Sequence, residues 1–167
     1  MVARRIGAFA GIPFEGMLRT NGKGGAVVAR DEKLDLLRTV PLFSGMRDKE
    51  LERVAALADI VDLPADRQIM TQGARGAEMF IVVSGSARVE RDGTSLGVKG
   101  VGEILGEIAL LDGGPRTATV TLAEPSRMLV LARREFRELM DEFPEVRLQV
   151  LEAAALRLRA LDHAGIH

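Results

Sequence analysis

Between positions 60 and 131 the chain is cut by glycines and polar residues into short β-prone runs, and no other feature limits its fold so strongly. The runs fall at 67–71, 79–83, 87–91, 95–98, 117–122 and 127–131, which predicts at least six strands. Strands this short bury too little alone, so they must share a core. Asp92-Gly93 separates two of them and suits a type I′ turn, whose two central residues both need positive φ. Regular spacing with tight reversals favours a closed or sandwiched antiparallel sheet. On either side the period lengthens to that of helices. Leu34, Leu37 and Val40 precede Pro41 in one short helix, and Leu51, Val54, Ala55, Leu57 and Ala58 mark a second, with Ser44 or Asp48 as its cap. Residues 133–141 form a third helix, and 146–161, entered through Pro144, a longer fourth.

The expected fold is α+β but mainly β: an antiparallel β-roll, double-sheeted like a jelly roll, with helices before it and two helices after it. Residues 1–32 carry six glycines among scattered apolar residues with no sustained period, so they are expected to be a flexible arm. The folded domain is expected at 33–162, followed by a short tail at 163–167. Composition removes several chemistries. With no cysteine there is no disulfide, no thiolate-bound metal and no thiol nucleophile. Both histidines, His163 and His167, sit in the last five residues, so neither a histidine base nor a metal site is expected. The 23 basic residues against 24 acidic ones give no overall positive field for a phosphate backbone, so this chain alone is not expected to bind nucleic acid. No apolar run reaches the roughly 18 residues of a membrane span, and a cytoplasmic address is expected.

Residues 102–120, GEILGEIALLDGGPRTATV, differ from an ordinary strand and turn. Gly106 lets the backbone come close to a ligand, and GEIAL can form one helical turn whose first N–H groups face outward as an anion site. Glu107 lies in that turn. The loop from Asp112 to Pro115 reverses the chain and returns Arg116 beside it. A guanidinium with backbone donors suits a singly charged phosphodiester, and a nearby carboxylate suits a hydroxyl; together they point to a nucleotide. The alternative is that Glu107 and Arg116 merely form an ion pair closing a hairpin.

The stretch GEIALLDGGPRTATV resembles the phosphate-binding cassette of cyclic nucleotide-binding domains, whose pattern is FGEIALL, a short loop, then RTATV or RSATV. Upstream, QGARGAEMFIVVSGSARV is similar to that family's QGxxGxxxFFIVxxGxVxV, with Gly73, Gly76 and Gly85 in place. Downstream, Phe136, Phe143 and Pro144 fit its hinge helices. The likeness runs from about residue 34 to residue 162, with Leu105 standing where phenylalanine or isoleucine is usual. It implies that Glu107 binds a ribose 2′-hydroxyl and Arg116 the cyclic phosphate. Gly106, Ile108 and Ala109 would shape the turn and offer backbone donors, and Thr117 would add a hydroxyl contact. Val89 and Leu96 would line the base end, or else be plain core.

The resemblance thus implies a sensor for cyclic AMP, or for cyclic GMP since Thr117 suits either, working as a switch with no catalytic residue and no cofactor. Three outputs remain open: regulation of a separate, unidentified effector protein; a transcription regulator whose helix-turn-helix is not in this chain; or a roll used only for protein contacts. A metal-dependent β-barrel enzyme would need inward-facing histidines and carboxylates on its strands, and the strands have no histidine. Leu151, Ala154, Leu158 and Leu161 in the helix at 144–161 form a short apolar seam that either pairs two copies as a homodimer or packs on the β-roll.

Overall fold

A computed structural model describes residues 30–163, together with two short strands, Ala8–Phe9 (β1) and Ile12–Pro13 (β2), that pair antiparallel. Helix α1 spans Arg30–Arg38 and α2 spans Asp48–Leu57, with a 3-10 turn at Pro41–Phe43 between them. Strands follow at Asp59–Leu63 (β3), Gln68–Met70 (β4), Glu78–Ser84 (β5), Ala87–Arg91 (β6), Thr94–Lys99 (β7) and Ile104–Leu105 (β8). The short helix Glu107–Asp112 (α3) interrupts them before Thr119–Leu122 (β9) and Ser126–Ala132 (β10). Helices Arg133–Glu142 (α4) and Pro144–His163 (α5) complete the order. Strands β3-β10-β5-β8 form one antiparallel sheet and β4-β9-β6-β7 the other, which is the roll that the spacing of the runs predicts.

Alternation along β5 and β10 explains how one sheet serves two cores. Met79, Ile81, Leu129 and Leu131 pack toward α1, α2, α4 and α5, with Leu37, Val54, Phe136 and Leu139. Phe80, Val82, Met128 and Val130 point the other way, into the roll, where they meet Ile69, Val89, Val120 and Leu122 of the second sheet. A sheet covered on both faces reads as an almost unbroken apolar run, as both strands do. At the β6–β7 reversal Asp92 and Gly93 take φ of +52° and +77°, the turn expected of that pair.

Several boundaries differ from expectation. Strand β3 reads Asp-Ile-Val-Asp-Leu, and its two aspartates hide an otherwise apolar run; β8 is only two residues long. Helix α1 begins at Arg30, so residues 30–32 are helical and not part of an arm. The rest of the expected arm, apart from β1 and β2, and residues 164–167 of the expected tail lie outside the described residues. Neither Ser44 nor Asp48 caps α2. Ser44 closes the turn that Pro41 starts, and the backbone N–H of Arg47 donates instead to Glu50 Oε1 at 3.0 Å. The dimer seam also needs correction. Ala154 and Leu161 are buried, whereas Leu148, Leu151 and Leu158 are 57%, 45% and 50% exposed, so the open stripe on α5 runs 148, 151, 155, 158. Its members lie three or four residues apart, the spacing of a two-stranded coiled coil.

Candidate ligand-binding site

Strand β8 passes into α3 through Gly106, whose φ of +85° belongs to the left-handed region. A Cβ there would lie 2.6 Å from Arg116 Nη1, so glycine permits both the bend and the approach of the guanidinium. Gly76, in the loop before β5, makes room from another side, since its Cβ would stand 3.0 Å from Arg116 Cζ. The same loop holds the arginine's backbone: the N–H of Arg116 donates to Ala74 O at 2.8 Å, and its carbonyl accepts from the Gly73 N–H at 2.9 Å. These contacts fix where the side chain starts.

The guanidinium of Arg116 is buried. Its Nη1 donates to Gly106 O at 3.1 Å, Nη2 pairs with Glu78 Oε1 at 3.3 Å, and Cζ stands 5.9 Å from the centre of the Phe80 ring. Glu107, the first residue of α3, has no exposed surface, and both of its carboxylate oxygens accept from Arg157 Nη1 at 2.7 Å. The simple Glu107–Arg116 pair is therefore replaced: each has found a partner from elsewhere in the chain, Arg157 of α5 and Glu78 of β5. Burial pushes the carboxyls of Glu78 and Glu107 above the usual range, while Arg116 pulls the first back and Arg157 the second. Burial lowers Arg116 as well, but a guanidinium stays charged.

A cavity of about 520 Å³ opens over these groups, a volume suited to a small ligand. Gly106, Glu107, Ile108, Ala109, Arg116, Thr117, Val89 and Leu96 all line it. Val89 is core and wall at once, being buried within the roll, and Leu96 packs against the same cluster. Helix α5 supplies another wall, with Leu156, Arg157 and Leu161. Lys99 and Glu103 add charge to an otherwise mainly apolar lining. The first N–H groups of α3 have no carbonyl partners within that helix, as at any helix start; that of Glu107 donates to its own carboxylate, and the next ones face the turn. Among the described residues no cluster of acidic or histidine side chains could hold a metal ion.

Glu78 and Arg157 escaped the reading from sequence. Both left a trace. Glu78 heads a strand of unbroken apolar residues, where a carboxylate needs a partner. Arg157 lies on the helical face of Ala153, Ala154, Ala160 and Leu161, small and apolar residues that turn it inward.

Comparison with known proteins gives a consistent result. The family model of the cyclic nucleotide-binding domain matches residues 60–143, half of the chain. A CRP-like cAMP-activated global transcriptional regulator of Mycobacterium tuberculosis is 27% identical over 134 residues, 77% of this chain and 60% of its own length. A cAMP-dependent protein kinase regulatory subunit of Mycosarcoma maydis is 28% identical over 160 residues, 90% of this chain and 29% of its own length. The crystal structure of the Thermus thermophilus catabolite activator protein superposes with a TM-score of 0.65 at 31% identity, covering 74% of this chain and 61% of that one. The chain thus spans about three-fifths or less of these relatives.

Proposed function

This chain belongs to the family of cyclic nucleotide-binding domains, and on that premise we propose that it senses cyclic AMP in the cavity beside α3 and signals through α4 and α5. One observation carries the reading: a buried guanidinium and a buried carboxylate, nine residues apart in the chain, line one ligand-sized cavity beside the first turn of α3. In this reading Arg116 and the N–H groups of Ile108 and Ala109 receive the cyclic phosphate, and Gly106 provides the bend that aims them. Glu107 accepts a hydrogen bond from the ribose 2′-hydroxyl, Thr117 adds a hydroxyl, and Val89 and Leu96 flank the base. Relatives that are named as a transcriptional regulator and a kinase regulatory subunit favour regulation of a second protein over catalysis.

The switch follows from the contacts that Arg116 makes within the chain. Arg116 is satisfied by Glu78 and by Gly106 O, so an arriving phosphate must offer it more than these do, and the cassette shifts to suit. A ligand moves such an equilibrium only by its differential affinity for the two arrangements, about 1–3 kcal/mol in typical coupled systems. The open α5 stripe suits a second copy of this chain as partner. No described helix is long and apolar enough to cross a membrane, and a cytoplasmic address suits a charged ligand.

Calorimetric titration of the full chain with cyclic AMP, cyclic GMP and 5′-AMP tests the proposal. Saturable binding that prefers cyclic AMP is expected, and Arg116→Ala should weaken it by roughly 2–5 kcal/mol, as when one member of a buried charge pair is removed. Equal binding of 5′-AMP, or an Ala variant that binds like the parent, overturns the assignment.

A further inference from the structure

Strand β6 alternates between the two faces of its sheet: Ala87 and Val89 are buried in the roll, while Arg88 and Glu90 are exposed. Arg91 follows on the inward side, where an apolar residue would ordinarily continue the stripe. Its side chain is 18% exposed, and its Nε, 3.8 Å from Asp92 Oδ2, is buried with no hydrogen-bond partner among the described residues. Its Nη1 donates to the carbonyl of Thr117 at 3.0 Å. Thr117 lines the cavity directly after Arg116. Resting on the reading above, in which the ligand meets the Thr117 hydroxyl, we infer that Arg91 is a positioning residue for the ligand. It pins the peptide that carries Thr117 and so sets where that hydroxyl meets the ligand.

The bonds around this stretch leave the task to Arg91. The backbone of Arg116 is fixed by the loop at Gly73 and Ala74, and the pairing of β9 with β6 starts only at Thr119. Between these anchors the Thr117 carbonyl is held by a side chain. The arginine comes from a braced element. Gln72 Nε2 donates to Asp92 Oδ1 at 2.7 Å, the Asp92 N–H donates back to Gln72 Oε1 at 2.9 Å, and the Gln72 N–H donates to Thr119 Oγ1 at 3.0 Å. The β6–β7 reversal, the Gln72 loop and the start of β9 thus form one frame, and Arg91 is its arm to Thr117. Turning a guanidinium into the roll with one N–H left orphaned costs stability that an apolar residue would not. A cost to folding placed beside a cavity points to a use in binding.

Calorimetric titration of the full chain with cyclic AMP, paired with the thermal midpoint of the ligand-free protein, tests this. Arg91→Met keeps an unbranched stem and removes the donors. It should weaken binding by about 3- to 10-fold, the worth of one hydrogen bond, while the ligand-free midpoint stays equal or rises. Thr117→Val should weaken binding by a similar factor. The double variant should bind no more weakly than the weaker single one, because both changes remove the same contact. Arg91→Lys, which keeps a cationic donor, should recover most of the affinity. Should the Met variant lose its fold, the same cycle run with Arg91→Gln decides. A variant that binds like the parent, whether or not its midpoint falls, or losses that multiply in the double variant, overturns the inference and leaves the cyclic nucleotide assignment standing. A parent that binds no cyclic AMP overturns both.

Discussion

Glu78, Glu107 and Arg116 are each withdrawn from water and face opposite charges that are not neighbours in the chain. The carboxyls of Glu78 and Glu107 are held above their unfolded value of 4.5, chiefly by burial. The folded state therefore binds their protons more tightly than the unfolded chain does. Their contribution to stability is fully present below that unfolded value and is lost as pH rises through the folded one. Glu142, paired at the surface with Arg53, acts in the opposite sense and far more weakly, its contribution present above the unfolded value and lost as pH falls. The thermal midpoint of the ligand-free protein should thus fall as pH rises from about the ordinary carboxylate range toward neutrality. Glu107→Gln should flatten that fall, as read by differential scanning calorimetry across pH. A variant with the parent's slope would mean that the buried carboxyl is not the group responsible.

Helix α5 has two working faces, and the sequence alone showed only that it had apolar residues to spare. Val146, Val150, Ala154 and Leu161 turn inward, while Leu148, Leu151 and Leu158 remain open. The seam expected at 151, 154, 158 and 161 mixes the two, because in a short helix several stripes satisfy the same three-and-four spacing. Strands were more legible. β5 and β10 are sandwiched between two cores, so their apolar runs are continuous, whereas β3 carries Asp59 and Asp62, the latter paired with Arg127 at 2.7 Å, and falls outside the runs read as strands. The open stripe predicts self-association through α5. Each leucine buried there against a partner is worth about 1.5–3 kcal/mol. Leu151→Asp combined with Leu158→Asp should convert a dimer to a monomer in sedimentation velocity, with far-ultraviolet circular dichroism retained. A parent that stays monomeric at high concentration refutes the pairing.

What the molecule does with its ligand depends on contacts between distant parts of the chain, and these are what the sequence concealed. Gly106, Glu107 and Arg116 lie within one short segment whose turn and loop chemistry could be read directly. Their partners Glu78 and Arg157 lie 38 and 50 positions away from the residues they meet, a distance no local pattern spans. Those two long contacts join the cassette to β5 and to α5, so binding should be felt well beyond the cavity. Ligand that binds only the folded state stabilises it by about 2.7 kcal/mol at 100 times its dissociation constant. For a chain of this size that corresponds to a rise in thermal midpoint of roughly 5–10 °C. Local and transmitted effects separate by hydrogen exchange. With cyclic AMP bound, amides of α3 and of α5 should both gain protection, while those of α1, which does not line the cavity, should change little. In Arg157→Gln, protection should still rise in α3 but no longer in α5. Equal gains in α5 for parent and variant would show that the signal leaves the cassette by another route, through Glu78 and the start of α4, where the Arg133 guanidinium donates to Gly76 O.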